Sequence, residues 1–206
     1  MIKKNQIAIA GNIGVGKTTM TEKLADILKL SPIYESVDDN PYLVDFYDDM
    51  KRWSFNLQIF FLYKRFSNQI ELLSSGNGFI QDRSLYEDKE IFARNLKDLK
   101  LMSSRDWSTY KDLFNEITKF LKKPDLIIYL KASTDTLLSR INNRKRDFEK
   151  EISSEYIHSL NIYYNQWISK IPKNRVLIID TNNFNIFEDH EKFLEIQENI
   201  VDKLSK

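Results

Sequence analysis

The chain contains no cysteine, which excludes disulfides, thiolate metal sites and cysteine nucleophiles. Histidine is nearly absent too, and His158 and His190 are too few and too far apart to suggest a zinc cluster. Any chemistry must fall to carboxylates, lysine, arginine or hydroxyls. An excess of one charge is missing, since 31 basic residues face 30 acidic ones for a net charge of +1. No large single-sign field is available to hold nucleic acid by counterion release, so a nucleic-acid partner is not expected. Long apolar runs are missing as well. Leu126-Ile127-Ile128-Tyr129-Leu130 and Val176-Leu177-Ile178-Ile179 have strand length and fall far short of a bilayer span, so no membrane partner is expected. The first residues, Met1-Ile2-Lys3-Lys4-Asn5-Gln6, lack the apolar core and small-residue cleavage site of a secretory signal. Together with the lack of cysteine, this leads to the expectation of a soluble cytoplasmic protein.

What the sequence does contain, 206 residues with 42% hydrophobic and 30% charged side chains, is enough for one sizeable core. With no internal repeat, low-complexity tract or Pro/Gly-rich linker, a single domain over 1–206 is expected. Short apolar runs at 7–10, 33–35, 79–81, 126–130 and 176–179 read as strands. Between them, helical periodicity covers 40–48, 53–73, 86–98, 105–120, 134–144, 154–168 and 186–204. Short buried strands alternating with helices imply an α/β fold, a five-stranded parallel sheet with helices on both faces. The stretch 140–151 is too polar to be buried as a whole and is expected to be a solvated helix end or a mobile flap.

Gly11-Asn12-Ile13-Gly14-Val15-Gly16-Lys17-Thr18 matches G-x-x-x-x-G-K-[ST] and lies between an apolar strand and a helix. Three of the chain's five glycines fall in this loop, where backbone N–H groups must turn inward on phosphate oxygens beside a helix N-terminus. Lys17 would reach the β- and γ-phosphates and Thr18 would ligate Mg2+. A nucleoside triphosphate is the implied ligand. Asp82, in Gln81-Asp82-Arg83-Ser84, follows the third strand, where open parallel sheets present ligand groups, and is a candidate magnesium partner. Its alternative role is to cap the next helix, for which Ser84 is the stronger candidate.

No Asn-Lys-x-Asp guanine signature occurs, and no Asp-x-x-Gly switch is possible, because Leu73 and Ser75 precede Gly76 and Gly78 by three. A GTPase switch is therefore disfavoured. Arg140, Arg144 and Arg146 follow a helix that begins after the fourth strand and are suited to close over a triphosphate and exclude water. Their bland alternative is a basic helix end that favours the macrodipole. Glu35, at the end of the short second strand and expected beside the phosphate-loop strand, could orient an acceptor hydroxyl. Gln58 and Arg65 are seven apart and share a helical face with Phe61 and Leu62. A purine edge and Asp88 would satisfy them; the alternative is a buried Arg65–Asp88 ion pair with Gln58 bonded to backbone. Taken alone, Tyr47 and Phe92 read as core aromatics.

Gly11 to Thr18, Tyr34-Glu35-Ser36-Val37, Trp53-Ser54-Phe55-Asn56-Leu57-Gln58, Asp82-Arg83-Ser84 and Arg140-x-x-x-Arg144-x-Arg146, in that order, resemble the deoxyribonucleoside kinase family. Asp82-Arg83-Ser84 and Asp38-Asp39-Asn40-Pro41-Tyr42-Leu43 look most like the bacterial deoxyadenosine/deoxyguanosine kinases. The resemblance implies a P-loop kinase-like three-layer fold with an arginine-rich lid, ATP and Mg2+ as cofactors, and a small deoxynucleoside as substrate, deoxyadenosine first. It implies that Glu35 is the general base for the 5′-hydroxyl and that Arg83 contacts that hydroxyl and the transferring phosphoryl group. Lys17, Arg144 and Arg146 would complete the catalytic set. Gly11, Asn12, Ile13, Gly14, Val15, Gly16, Lys17, Thr18, Thr19, Arg140 and Arg144 would hold the ATP phosphates. Tyr47 and Glu149, with Glu151 as the alternative, would hold the sugar 3′-hydroxyl. Gln58, Arg65 and Asp88 would read the base, and Phe92 would stack on it. Family members pair through helices, so a homodimer is implied, with 53–73 and 86–98 as candidate surfaces. The rivals are a nucleoside monophosphate kinase of thymidylate-kinase type, against which the acidic Glu35 argues, and a non-catalytic nucleotide-binding regulator.

Overall fold

Ile7, Ala8, Ile9 and Ala10 are fully buried in a strand that has a neighbour on either side and whose side chains belong to one apolar cluster with those of the helices. A computed structural model of the chain describes residues 4–35, 39–74, 76–146, 149 and 152–205. Its strands are β1 (Gln6–Gly11), β2 (Ser31–Ile33), β3 (Phe79–Asp82), β4 (Leu126–Lys131) and β5 (Val176–Asp180). They form one parallel sheet in the order β2-β3-β1-β4-β5, β1 being central. The helices that cross between them are α1 (Lys17–Leu28), α2 (Leu43–Asp48), α3 (Met50–Ser74), α4 (Leu85–Glu87), α5 (Arg94–Asp98), α6 (Ser104–Thr118), α7 (Thr134–Arg144), α8 (Ser154–Ile168) and α9 (His190–Ser205). The α/β class and the five-stranded parallel sheet agree with the expectation. One connected cluster of buried apolar side chains runs from β1 through α3 and α8 to α9.

Serines mark where three helices begin. Ser103, Ser133 and Ser153 each accept a hydrogen bond from the N–H three residues on, at Asp106, Thr136 and Tyr156, and so cap α6, α7 and α8. Ser84 does the same for α4 in a reciprocal capping box with Glu87.

Four differences from the periodicity reading have physical reasons. First, β2 covers Ser31–Ile33, not 33–35, because its register is set by pairing Ser31 with Phe79 and ends where Ile33 meets Gln81. Second, β2 is an edge strand separated from β1 by β3, so Glu35 is not beside the phosphate-loop strand as expected. The edge tolerates Pro32, which lacks an N–H. Third, the helix expected over 86–98 is in three pieces, with a π-helical segment at Asp88–Ala93 between α4 and α5. A π turn widens the backbone by one residue and is common where side chains are redirected into a site. Fourth, α9 starts at His190 instead of 186, because Asn185 and Asp189 bond into a polar turn ahead of it.

Gly11 ends β1 with φ +151°, and a Cβ there would meet the Leu130 carbonyl oxygen at 2.7 Å and Val15 Cγ1 at 2.8 Å. Both obstacles belong to fixed packing, one of them the backbone of β4. Gly11→Ala should therefore lower unfolding stability by roughly 1–3 kcal/mol. Urea denaturation checks this, and unchanged stability would contradict the close approach of β4.

Candidate active site

The carboxyl ends of β1 and β3 open on a cavity of about 480 Å³. Its wall brings together Ile13, Gly14, Gly16, Lys17, Thr18 and Thr19 of the phosphate loop with Glu35, Tyr47, Gln58, Arg83, Asp88, Phe92, Arg144, Arg146 and Glu149. Most of the residues singled out in the sequence thus meet in one place. Asn12 lies behind the loop, its side chain donating to the Ile157 carbonyl and to Asn161 Oδ1, both at 2.9 Å, which ties the loop to α8. Glu151, like Ser36, Val37 and Asp38, lies outside the described residues.

Lys17 is buried, and its Nζ donates to the Asn12 carbonyl at 3.1 Å. Burial above all, and then the Arg83 charge, lower its pKa to about 8 against the opposing pull of Asp82, Glu35 and Glu87. Thr18 Oγ1 donates to Asp82 Oδ2 at 2.6 Å, while Asp82 Oδ1 is buried without a hydrogen-bond partner. A hydroxyl and a carboxylate with an unused oxygen form a hard donor pair that fits Mg2+. Among the described residues no three carboxylates or histidines converge, so waters and phosphate oxygens would have to complete such an ion's shell, as is usual for magnesium.

Glu35 lies two residues beyond β2 and meets two guanidiniums. Its Oε1 is 2.7 Å from Arg65 Nη2 and 3.0 Å from Arg83 Nε. Burial pushes its pKa up, but Arg83, Arg65 and Lys17 outweigh burial and hold it at about 2. Arg65, from α3, also donates Nε to Asp88 Oδ2 at 2.6 Å and Nη1 to the carbonyls of Asp82 and Arg83 at 3.2 and 3.3 Å. Asp88 is fully buried, and burial raises its pKa to about 6 despite Arg65 and Arg83. The ion-pair alternative for Arg65 is therefore present. Gln58, however, is not satisfied by backbone at its oxygen: it is 3% exposed and Oε1 has no partner. Arg65 is not among the described residues that line the cavity; it stands behind the wall and fixes those that do.

Arg83 has φ +69°, a strained value for a side chain of its size. Its N–H still extends the sheet by donating to the Ile9 carbonyl at 3.0 Å, while its guanidinium lies over the Phe92 ring, 4.1 Å from the centroid. Tyr47 packs edge-on against Phe46, and burial, with Tyr156 and Glu149 nearby, raises its hydroxyl well above the usual range.

The three arginines expected to act as a lid are divided. Arg140 donates to the Val15 carbonyl at 3.3 Å and to the Thr181 carbonyl at 2.6 Å, on the wall of a second cavity of about 540 Å³ lined by Asn182, Asn183 and Phe184 of the loop after β5. Arg144 forks onto Glu149 through Nε, at 2.5 Å, and Nη2, and Arg146 lies 3.8 Å from the same carboxylate. The physical reason is the one-turn spacing on α7. Arg140 falls against the loop and β5, whereas Arg144 and Arg146 stand at and beyond the helix end.

Two buried residues escaped the sequence reading. Glu87 accepts hydrogen bonds from the N–H groups of Gly11 and Ser84, and the Tyr164 hydroxyl lies 2.9 Å from Glu87 and 2.8 Å from the Gly11 carbonyl. The Ser84-x-x-Glu87 spacing was a capping-box signal for the first. Nothing local marks Tyr164.

A family model described as deoxynucleoside kinase matches residues 7–205. A deoxyadenosine/deoxycytidine kinase of Bacillus subtilis (strain 168) is 40% identical over 98% of this chain and 93% of its own length. A deoxyguanosine kinase of the same organism is 40% identical over 84% of this chain and 85% of its own. A structure of deoxyadenosine kinase from M. mycoides, holding the products dCMP and dCDP, superposes with a TM-score of 0.81 at 31% identity, covering 96% of this chain and 98% of that one.

The state of Lys17 sets a pH limit. Because its pKa is depressed to about 8, the charge with which it would meet a triphosphate is lost as pH rises through that value. The affinity of the free protein for a nucleoside triphosphate, measured by calorimetry, should fall steadily between pH 7 and 9.5. A flat profile would contradict the assignment.

Proposed function

From the premise that the chain belongs to the deoxynucleoside kinase family and is an ATP-dependent phosphotransferase, we propose that deoxyadenosine is its preferred acceptor, phosphorylated at the 5′-hydroxyl. The observation that carries this reading is Gln58, whose buried side-chain oxygen has no partner and lines the cavity. An unsatisfied acceptor needs a donor, and the adenine edge presents an amino group beside a ring acceptor, matching the two ends of a glutamine amide. Cytosine presents the same pair, so deoxycytidine is the expected second acceptor, in keeping with the name of the Bacillus relative. Asp88 and Phe92 complete the base site, and Arg65 acts by holding Asp88 in place.

Glu35 orients the 5′-hydroxyl. Both arginine contacts fall on Oε1, which leaves Oε2 to accept the hydroxyl hydrogen. A carboxylate with a pKa of about 2 is a weak base, and a loose phosphoryl-transfer transition state asks mainly for alignment, with the proton leaving late. Lys17, Arg83, Arg144 and Arg146 spread the charge of the transferring group. Thr18 and Asp82 would hold magnesium, which supplies further charge neutralisation on the phosphates when bound. Tyr47 and Glu149 hold the sugar 3′-hydroxyl. The donor phosphates compete with Glu149 for Arg144 and Arg146, while Arg140 secures the loop beside the second cavity. The protein acts as a single domain and a cytoplasmic homodimer in this reading. Tyr63, 58% exposed on α3, is a candidate for the dimer surface, whereas the 86–98 segment is mostly buried. Among the described residues no helix is long and apolar enough to cross a membrane.

The test is a product-resolved assay with Mg-ATP against deoxyadenosine, deoxycytidine, deoxyguanosine, thymidine and the corresponding monophosphates. Deoxyadenosine monophosphate should dominate, with deoxycytidine monophosphate second. Dominant deoxyguanosine turnover would overturn the Gln58 reading. Turnover of monophosphates alone would favour the thymidylate-kinase rival, and no turnover the regulator.

A further inference from the structure

Glu87 is fully buried in the first turn of α4, beneath the phosphate loop and outside the substrate cavity. Its Oε1 accepts the Ser84 N–H at 2.8 Å and the Ser84 hydroxyl at 3.3 Å, and its Oε2 accepts the Gly11 N–H at 3.2 Å. Oε2 also lies 2.9 Å from the Tyr164 hydroxyl oxygen, which in turn is 2.8 Å from the Gly11 carbonyl oxygen. A tyrosine hydroxyl owns one hydrogen, yet it makes two short oxygen–oxygen contacts, one to a carbonyl and one to a carboxyl. The carbonyl cannot supply the second hydrogen. Arg83 Nη1, 3.3 Å from the same hydroxyl, fills an acceptor position and adds none between the oxygens.

We infer that Glu87 is held as a neutral carboxylic acid that donates from Oε2 to the Tyr164 oxygen, while Tyr164 donates to the Gly11 carbonyl. Every short contact then contains one hydrogen. Among the described residues no lysine or arginine nitrogen comes within 4.0 Å of Glu87, so an ionised carboxylate there would lack a direct counter-ion. The charged and titratable groups around it are Arg83 from the turn after β3, Lys17 from α1, and Tyr164 of α8, which stacks on Tyr129 of β4. Burial raises the Glu87 pKa, and Arg83, the Ser84 N–H and Lys17 only partly offset that rise.

The consequence concerns the phosphate site. The acid and Tyr164 together hold both backbone groups of Gly11 and the Ser84 turn that carries Arg83. Phosphate loop and acceptor-side arginine are thereby kept in register. Because the clamp is neutral, it adds no negative charge under a loop that must receive a triphosphate. Glu87 touches no substrate and is a positioning residue.

The experiment is an isotope-edited infrared spectrum of the full chain carrying glutamate labelled with 13C at the side-chain carboxyl, recorded at pH 7. The expected result is one protonated-carboxyl C=O band that disappears in Glu87→Gln. That variant replaces the acid with a neutral donor–acceptor and gives up only the 3.2 Å contact from the Gly11 N–H. Its kcat/KM for ATP should stay within about fivefold of the parent, as suits the loss of one weak hydrogen bond. Should Glu87→Gln fail to fold, Tyr164→Phe supplies the attribution, because the band must shift when its acceptor is removed. Absence of the band at pH 7 would overturn the inference and leave an ionised Glu87 with a hydrogen shared between two acceptors. Persistence of the band in a folded Glu87→Gln, or its indifference to Tyr164→Phe, would overturn it equally.

Discussion

The guanidinium of Arg65 is the contact on which the rest of the site depends. Four hydrogen bonds leave it, to Glu35, to Asp88 and to the carbonyls of Asp82 and Arg83, and so one side chain of α3 fixes the exit of β2, the turn after β3 and the start of the π-helical segment. A planar fork of N–H donors suits this task in a way that a lysine point charge does not. Buried Asp88 and half-buried Glu35, gathered in one place, would otherwise repel each other and lack partners, and breaking a buried pair such as Arg65–Asp88 costs about 3–5 kcal/mol. The strained backbone of Arg83 is sustained by the same contact, since its own carbonyl is one of the four acceptors.

From this arrangement follows the spread of ionisation within a single cavity. Two carboxylates of ordinary chemistry bond to the same Arg65 guanidinium, yet one is held at about 2 and the other is raised to about 6. The difference is in the balance. Glu35 faces Arg83, Arg65 and Lys17 together, whereas Asp88 has deeper burial and a repelling Glu35 to set against Arg65 and Arg83. Lys17 reaches about 8 because burial and Arg83 act on it in the same direction. Cationic groups held in place and partly stripped of water are what a triphosphate donor and a transferring phosphoryl group require.

The sequence made the skeleton of the candidate site legible where the signal is local. The phosphate loop declares itself through glycine spacing, Asp82 and Arg83 through their place at a strand end, and α6, α7 and α8 through their apolar periodicity. What was not legible depends on long-range pairing. The position of β2 at the sheet edge is decided by its register against β3, which no local pattern encodes. The π-helical segment hides in a window whose periodicity reads as an ordinary helix. Arg140 parts from Arg144 and Arg146 because it sits one turn back along α7, within reach of the Val15 and Thr181 carbonyls, while they stand at and beyond the helix end. Tyr164 meets Gly11 across most of the chain's length, and only the folded sheet brings them together. The family resemblance added roles for Tyr47, Phe92 and Glu149 that composition and spacing alone could not have assigned.

The central claim is that Arg65 builds the acceptor half of the site while the phosphate loop stands independently. Arg65→Lys, examined by steady-state kinetics with deoxyadenosine and by ADP-binding calorimetry, tests it most directly. The account predicts a fall of about a hundredfold or more in kcat/KM for the deoxynucleoside, the scale of a lost aligning group, with ADP affinity changed by less than about threefold. Equal loss of both, or acceptor kinetics that survive the substitution, would contradict it.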